Sequence, residues 1–98
     1  MLNVLLVEDN PGDARLAVEA LREGGAKVQL HLAQDGVEAM SFLKREPPHT
    51  DAPRPDLLLL DLNLPRKDGR EVLAEVKNDP QLRRIPVVVL TTSQAEQD

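Results

Sequence analysis

The sequence predicts one α/β domain, a doubly wound parallel sheet laid down in the order β-α-β-α-β-α-β. Three observations carry that expectation. Short apolar runs, "NVLLV" at 3–7, "DLLLL" at 56–60 and "VVVLT" at 87–91, have the makeup of strands buried on both faces. Segments with apolar residues at helical spacing separate them. Alternation of the two kinds of segment is the pattern of a parallel sheet covered by helices on both sides. At 98 residues the chain is long enough for one domain and not two.

The first strand, 3–7, stops at "EDNPGD". Pro11 suits the first turn of a helix, with Asp9 or Asn10 as its cap. Ala14, Ala17, Val18 and Leu21 then follow on one helical face, and Gly24-Gly25 ends the helix. "KVQLHLA" at 27–33 alternates, so it reads as a second and more exposed strand. Asp35-Gly36 opens a helix expected to turn Val37, Met40 and Leu43 inward. Residues 45–55, "REPPHTDAPRP", hold four prolines and can form neither a regular helix nor a central strand. This is a surface loop, long for its type. The third strand, 56–60, has the most central composition. Asp68 then caps a third helix with Glu71 as its capping-box partner, and Val72, Leu73 and Val76 face inward. Pro86 precedes the fourth strand.

Composition narrows the functions available. Seventeen acids against twelve bases give a net charge of −5, which argues against a basic nucleic-acid or anionic-membrane face. Phe42 is the single Phe, Tyr or Trp, so a base- or flavin-stacking surface is not expected. Cysteine is absent, which removes disulfides, thiolate metal sites and thiol nucleophiles. No apolar run reaches membrane-spanning length, and the N-terminus lacks the basic start of a signal peptide, so the expected compartment is cytoplasmic.

In sheets of this kind ligands bind beyond the carboxyl ends of the strands. Glu8 and Asp9 follow the first strand, Asp61 the third, and Thr91, Thr92 and Ser93 lie at the end of the fourth. If strands one and three are neighbours, three carboxylates converge. At an effective dielectric near 20, each close pair repels by about 4 kcal/mol at 4 Å. Protonation or a divalent cation relieves this. Glu8 and Asp9, on the loop side of a strand, are both expected to stay solvated, which favours the cation. All-oxygen ligands favour Mg²⁺, which keeps several waters and takes few direct carboxylates. Mg²⁺ invites a phosphoryl group, with Asp61 as nucleophile, Thr91 as hydroxyl donor, and backbone N–H groups of 62–64 and 92 as cradle.

These residues resemble the receiver domains of two-component response regulators. The likeness rests on Glu8-Asp9, Asp61 ending "DLLLLD", "NLPRKDG" at 63–69, "IPVVVLT" ending at Thr91, and the thirty-residue interval from Asp61 to Thr91. With the Pro-rich insert, the chain is most similar to the small stand-alone regulators that pair with bacterial phytochrome-type histidine kinases. The resemblance implies a flavodoxin-like (CheY-like) sheet of order 2-1-3-4(-5). It implies that Asp61 accepts a phosphoryl group from a kinase phosphohistidine. Asp9 would ligate Mg²⁺ directly, Glu8 through water, and Asn63 through its backbone carbonyl. Thr91 would be the switch hydroxyl. Asn63 and Ser93 would tune dephosphorylation, and Thr92 stands where a smaller residue is usual.

Receivers of this kind also carry a fifth strand ending in lysine and a closing helix, some twenty residues beyond Thr91. Residues 1–98 do not contain them, so the expectation is a C-terminally incomplete receiver: a fragment, the ordered part of a longer chain, or one half of an exchanged assembly or homodimer. Three other readings compete. A haloacid-dehalogenase-type phosphatase needs a second acid two residues beyond its nucleophile on the first strand, whereas the first strand here ends in Glu-Asp-Asn. A flavodoxin-like mononucleotide binder needs a phosphate loop where Glu8 and Asp9 stand. A degenerate receiver would serve only as a protein-binding surface. Arg66-Lys67 and Arg83-Arg84 read as solvated, His49 as inert in the Pro-rich loop, and His31 as pointing to the far face of its strand from Leu30 and Leu32.

Overall fold

Strand and helix alternate as expected in the computed structural model, which describes residues 1–25 and 27–90. The elements are β1 (Leu2–Val7), α1 (Pro11–Glu23), β2 (Val28–Ala33), α2 (Gly36–Leu43), β3 (Leu57–Asp61), α3 (Gly69–Asn78) and β4 (Val87–Leu90). All pairings are parallel and the strand order is β2-β1-β3-β4, the order that the resemblance implied. β1 and β3 are therefore neighbours, aligned from Val4 opposite Leu57 to Val7 opposite Leu60. Asp61 is the last residue of β3 and stands opposite Leu90 of β4.

The continuous apolar runs are explained by two cores, one on each face of the sheet. Leu5, Val7, Leu58 and Leu60 pack with Met40, Phe42, Leu43, Val72 and Val76 of α2 and α3. Val4, Leu6 and Leu59 pack with Ala14 of α1, flanked by Ala17 and Leu21. Alternate side chains of one strand thus enter opposite cores. β2 lies at an edge, which is why its sequence alternates: Leu32 is exposed while His31 turns toward Phe42, ring centroids 5.2 Å apart. β4 is the other edge among the described strands, with Val88 and Val89 exposed.

Helix ends follow the local chemistry. Asp35 caps α2 through its carboxylate, which accepts from the Glu38 N–H at 2.8 Å. Asp68 and Glu71 form the expected capping box on α3. One expectation is corrected. Val37 is exposed rather than inward, because the buried face of α2 runs through Gly36, Ala39, Met40, Phe42 and Leu43. His49, in the Pro-rich loop, packs against the Phe42 ring with centroids 5.5 Å apart. Residues 45–55 form turns and irregular backbone, as their prolines require.

Candidate functional site

The site lies where β1 and β3 end side by side. At β1, the Glu8 N–H donates to the Ala33 carbonyl at 2.9 Å, so the ladder to β2 continues one residue past the strand. That hydrogen bond helps aim the Glu8 side chain inward, where it is only 2% exposed. Asp9, next in the chain, points to solvent. The α1 cap is Asn10, not Asp9. Its Oδ1 accepts from the Gly12 and Asp13 N–H groups at 2.8 and 3.1 Å, while its own N–H donates to Glu8 Oε2 at 3.1 Å. The Asp9 carboxylate is thereby left out of the helix cap.

At β3, Asp61 is also 2% exposed. Its Oδ1 accepts from the Asn63 N–H at 3.0 Å. The loop that follows is held on two sides by glycines that permit backbone contact. A Cβ on Gly69 would overlap the Asp61 carbonyl oxygen and the Leu62 backbone, and the Gly69 N–H donates to the Leu62 carbonyl at 3.1 Å. A Cβ on Gly36 would overlap the Lys67 backbone, so the start of α2 abuts the same loop. Between these contacts Arg66 adopts a left-handed φ of 67°, with its Nε 3.8 Å from Asp35 Oδ2. Sequence reasoning found the acids but not these braces. The turn-rich string "LPRKDG" marked a loop without saying what it touched.

One carboxylate oxygen from each of Glu8, Asp9 and Asp61 lies within 4.8 Å of the others. The expectation that Glu8 and Asp9 both stay solvated holds for Asp9 and fails for Glu8, which burial turns into the strained member. Its pKa is raised to about 7, first by loss of water and then by the neighbouring Asp61 carboxylate, against the lowering effect of the Asn10 N–H. Glu8 Oε1 is buried without a hydrogen-bond donor. A proton shared with Asp61 satisfies it, and so does a cation. The donors are all hard oxygens, one exposed and two buried, and the set fits a small divalent ion such as Mg²⁺ better than zinc. Thr91, Thr92 and Ser93 lie outside the described residues. Among the described residues no helix is long and apolar enough to cross a membrane.

A parallel sheet of order 2-1-3-4 with an acidic cluster across its two central strand ends places the chain among aspartate-bearing α/β modules. The chain belongs to the response regulator receiver domain family, whose model matches residues 4–98. Among its relatives is response regulator Rcp1 of Synechocystis sp., 55% identical over 95 residues, covering 97% of this chain and 65% of that protein. The chain thus spans slightly less than two thirds of that relative's length. The Mn²⁺-bound form of Rcp1 superimposes with a TM-score of 0.90 at 53% identity, over 96% of this chain and 68% of that one. The phosphorylated cyanobacterial phytochrome response regulator RcpA gives 0.88 at 56% identity, over 99% and 69%. The bacteriophytochrome response regulator AtBRR gives 0.89 at 44% identity, over 100% and 71%. The resemblance to phytochrome-associated regulators is therefore established at the level of sequence and fold.

Proposed function

We propose that residues 1–98 form a phosphoacceptor module, in which Asp61 receives a phosphoryl group from a sensor histidine kinase of the phytochrome type. The observation that carries this reading is the convergence of Glu8, Asp9 and Asp61 oxygens within 4.8 Å at the carboxyl ends of adjacent strands. An Asp61 carboxylate oxygen attacks the phosphorus of the phosphohistidine, the P–N bond breaks, and the imidazole leaves. The product is an acyl phosphate on Asp61. The Asn63 N–H donates to Oδ1 and so helps fix the orientation of the carboxylate at the end of β3. Asp9, Asp61 and the Asn63 carbonyl would hold Mg²⁺, with Glu8 acting through water. When bound, the ion offsets the charge on the transferring phosphoryl oxygens.

Thr91 is the hydroxyl proposed to contact the phosphoryl group, and Asn63, Thr92 and Ser93 are proposed to set its lifetime. The module turns over no free substrate beyond its own phosphorylation and dephosphorylation, and signals by protein contact in the cytoplasm. A second copy of the chain is a further proposed contact.

The test is incubation of the full chain with Mg²⁺ and acetyl phosphate, followed by mass mapping of added phosphate. An alkali-labile phosphate on Asp61, absent in Asp61→Asn, is expected. Steady release of phosphate from many esters, or no modification with Mg²⁺ bound, would overturn the proposal.

A further inference from the structure

A second cleft lies at the opposite end of the sheet from the acids. It has a volume of about 320 Å³ and sits between the end of α2, the segment entering β3 and the α3–β4 connection. From Pro55 on its wall to Asp61 the chain runs six residues of nearly extended backbone, roughly 20 Å. Its floor is apolar: Leu82 and Ile85 are 6% and 2% exposed. Its rim carries Lys44, Arg45 and Arg54 against the single carboxylate of Asp79. On a chain of net charge −5 this is a local reversal of sign.

The cations are differently engaged. Lys44 Nζ is 3.8 Å from Glu75. Arg54 donates through Nη1 to the Gln81 carbonyl, which fixes the guanidinium and leaves the other N–H groups of its fork for a further acceptor. Among the described residues neither Arg45 nor Arg54 has a carboxylate within 4.0 Å. Asp79 is occupied as well, its Oδ1 accepting from the Gln81 N–H at 2.8 Å.

Arg45 is the informative residue. It stands just past the end of α2 with φ 57°. Its N–H donates to the Phe42 carbonyl at 3.2 Å and the Glu46 N–H to the Ser41 carbonyl at 2.9 Å. This is the two-bond helix stop in which glycine is the favoured residue at the left-handed position. Arginine there works against local backbone preference, and departures of that kind concentrate where a side chain has a task.

We infer that this cleft binds a small dianionic oxyanion, phosphate or a short dicarboxylate, held by Arg45 and Arg54 over the Leu82–Ile85 floor. Its volume lies at the lower end of the range for small-molecule sites, which suits a ligand of this size. The experiment titrates the ¹⁵N-labelled full chain, free of divalent cations, with phosphate and separately with succinate. Ionic strength is held constant with sodium chloride. Saturable amide shifts are expected at residues 44–46, 54, 79 and 81–85, with 8–10 and 61–63 unmoved.

Arg54→Gln and Arg45→Gly should each weaken binding about tenfold or more, the loss expected for a charged hydrogen-bonding partner. Glycine accepts the left-handed backbone, so Arg45→Gly should keep or raise the melting temperature, which separates loss of binding from loss of fold. Saturation by one anion alone assigns the source. Shifts that never saturate, or wild-type affinity in both variants, would overturn the inference.

Discussion

Glu8 shows how burial of one atom sets the behaviour of the site. With its pKa raised from 4.5 to about 7, the folded protein holds a proton that the unfolded chain releases across that interval. The stabilisation is complete below about pH 4.5 and is lost as pH rises through about 7, a fall on the order of 3 kcal/mol. Urea midpoints of the metal-free protein across pH 4 to 8 should decline accordingly. Glu8→Gln should flatten that part of the profile, while Mg²⁺ should restore stability near pH 8 in the parent and less so in the variant. The acids themselves were legible in the sequence, because each directly follows or ends an apolar run. The asymmetry between Glu8 and Asp9 was not. It depends on the Glu8–Ala33 ladder bond and on Asn10 taking the cap, and adjacency in the chain reports neither.

Among the elements, the connection from β3 to α3 bears most directly on Asp61. It is held by close backbone approach rather than by apolar packing alone, so its glycines are exacting. Gly69→Ala places a methyl into the Asp61 carbonyl and the Leu62 backbone. A loss of about 1–3 kcal/mol is expected, the usual cost of overpacking. It should appear as a lower denaturation midpoint with unchanged m-value, accompanied by slower phosphorylation although no reacting group has been removed. Retention of full phosphorylation rate with only the stability loss would show that the loop does not position Asp61. Helix boundaries were largely legible, since Asp35, Asp68 and Gly24-Gly25 carry ordinary cap chemistry. Val37 was misplaced because an eight-residue helix offers two overlapping apolar stripes, and only the sheet decides which is buried.

For the molecule as a whole, the two-sided core predicts a sharp contrast between leucines. Leu58→Ala, in the core under α2 and α3, should cost about 2–5 kcal/mol. Leu16→Ala, on a side chain 64% exposed, should change stability by no more than about 0.5 kcal/mol. Thermal and denaturant unfolding of the two variants distinguish them directly. The four strands and their parallel direction were readable from the alternation of segments and from the burial implied by each run, while their order came with the family resemblance. The cationic cleft was not readable, because Arg45, Arg54 and Asp79 come from three separate connections and no periodicity links them.

The register of β1 with β3 has a kinetic consequence. Glu8 and Asp61 are separated by more than half of the chain, and they meet only when Val7 comes opposite Leu60. Closing so long a loop costs entropy before any contact across it is rewarded. The acids are thus gathered after that closure, and a cation has nothing to grip until the strands have docked. Mg²⁺ should consequently leave the refolding rate nearly unchanged and slow unfolding, so that its whole stabilising effect is read on the unfolding arm of a chevron plot.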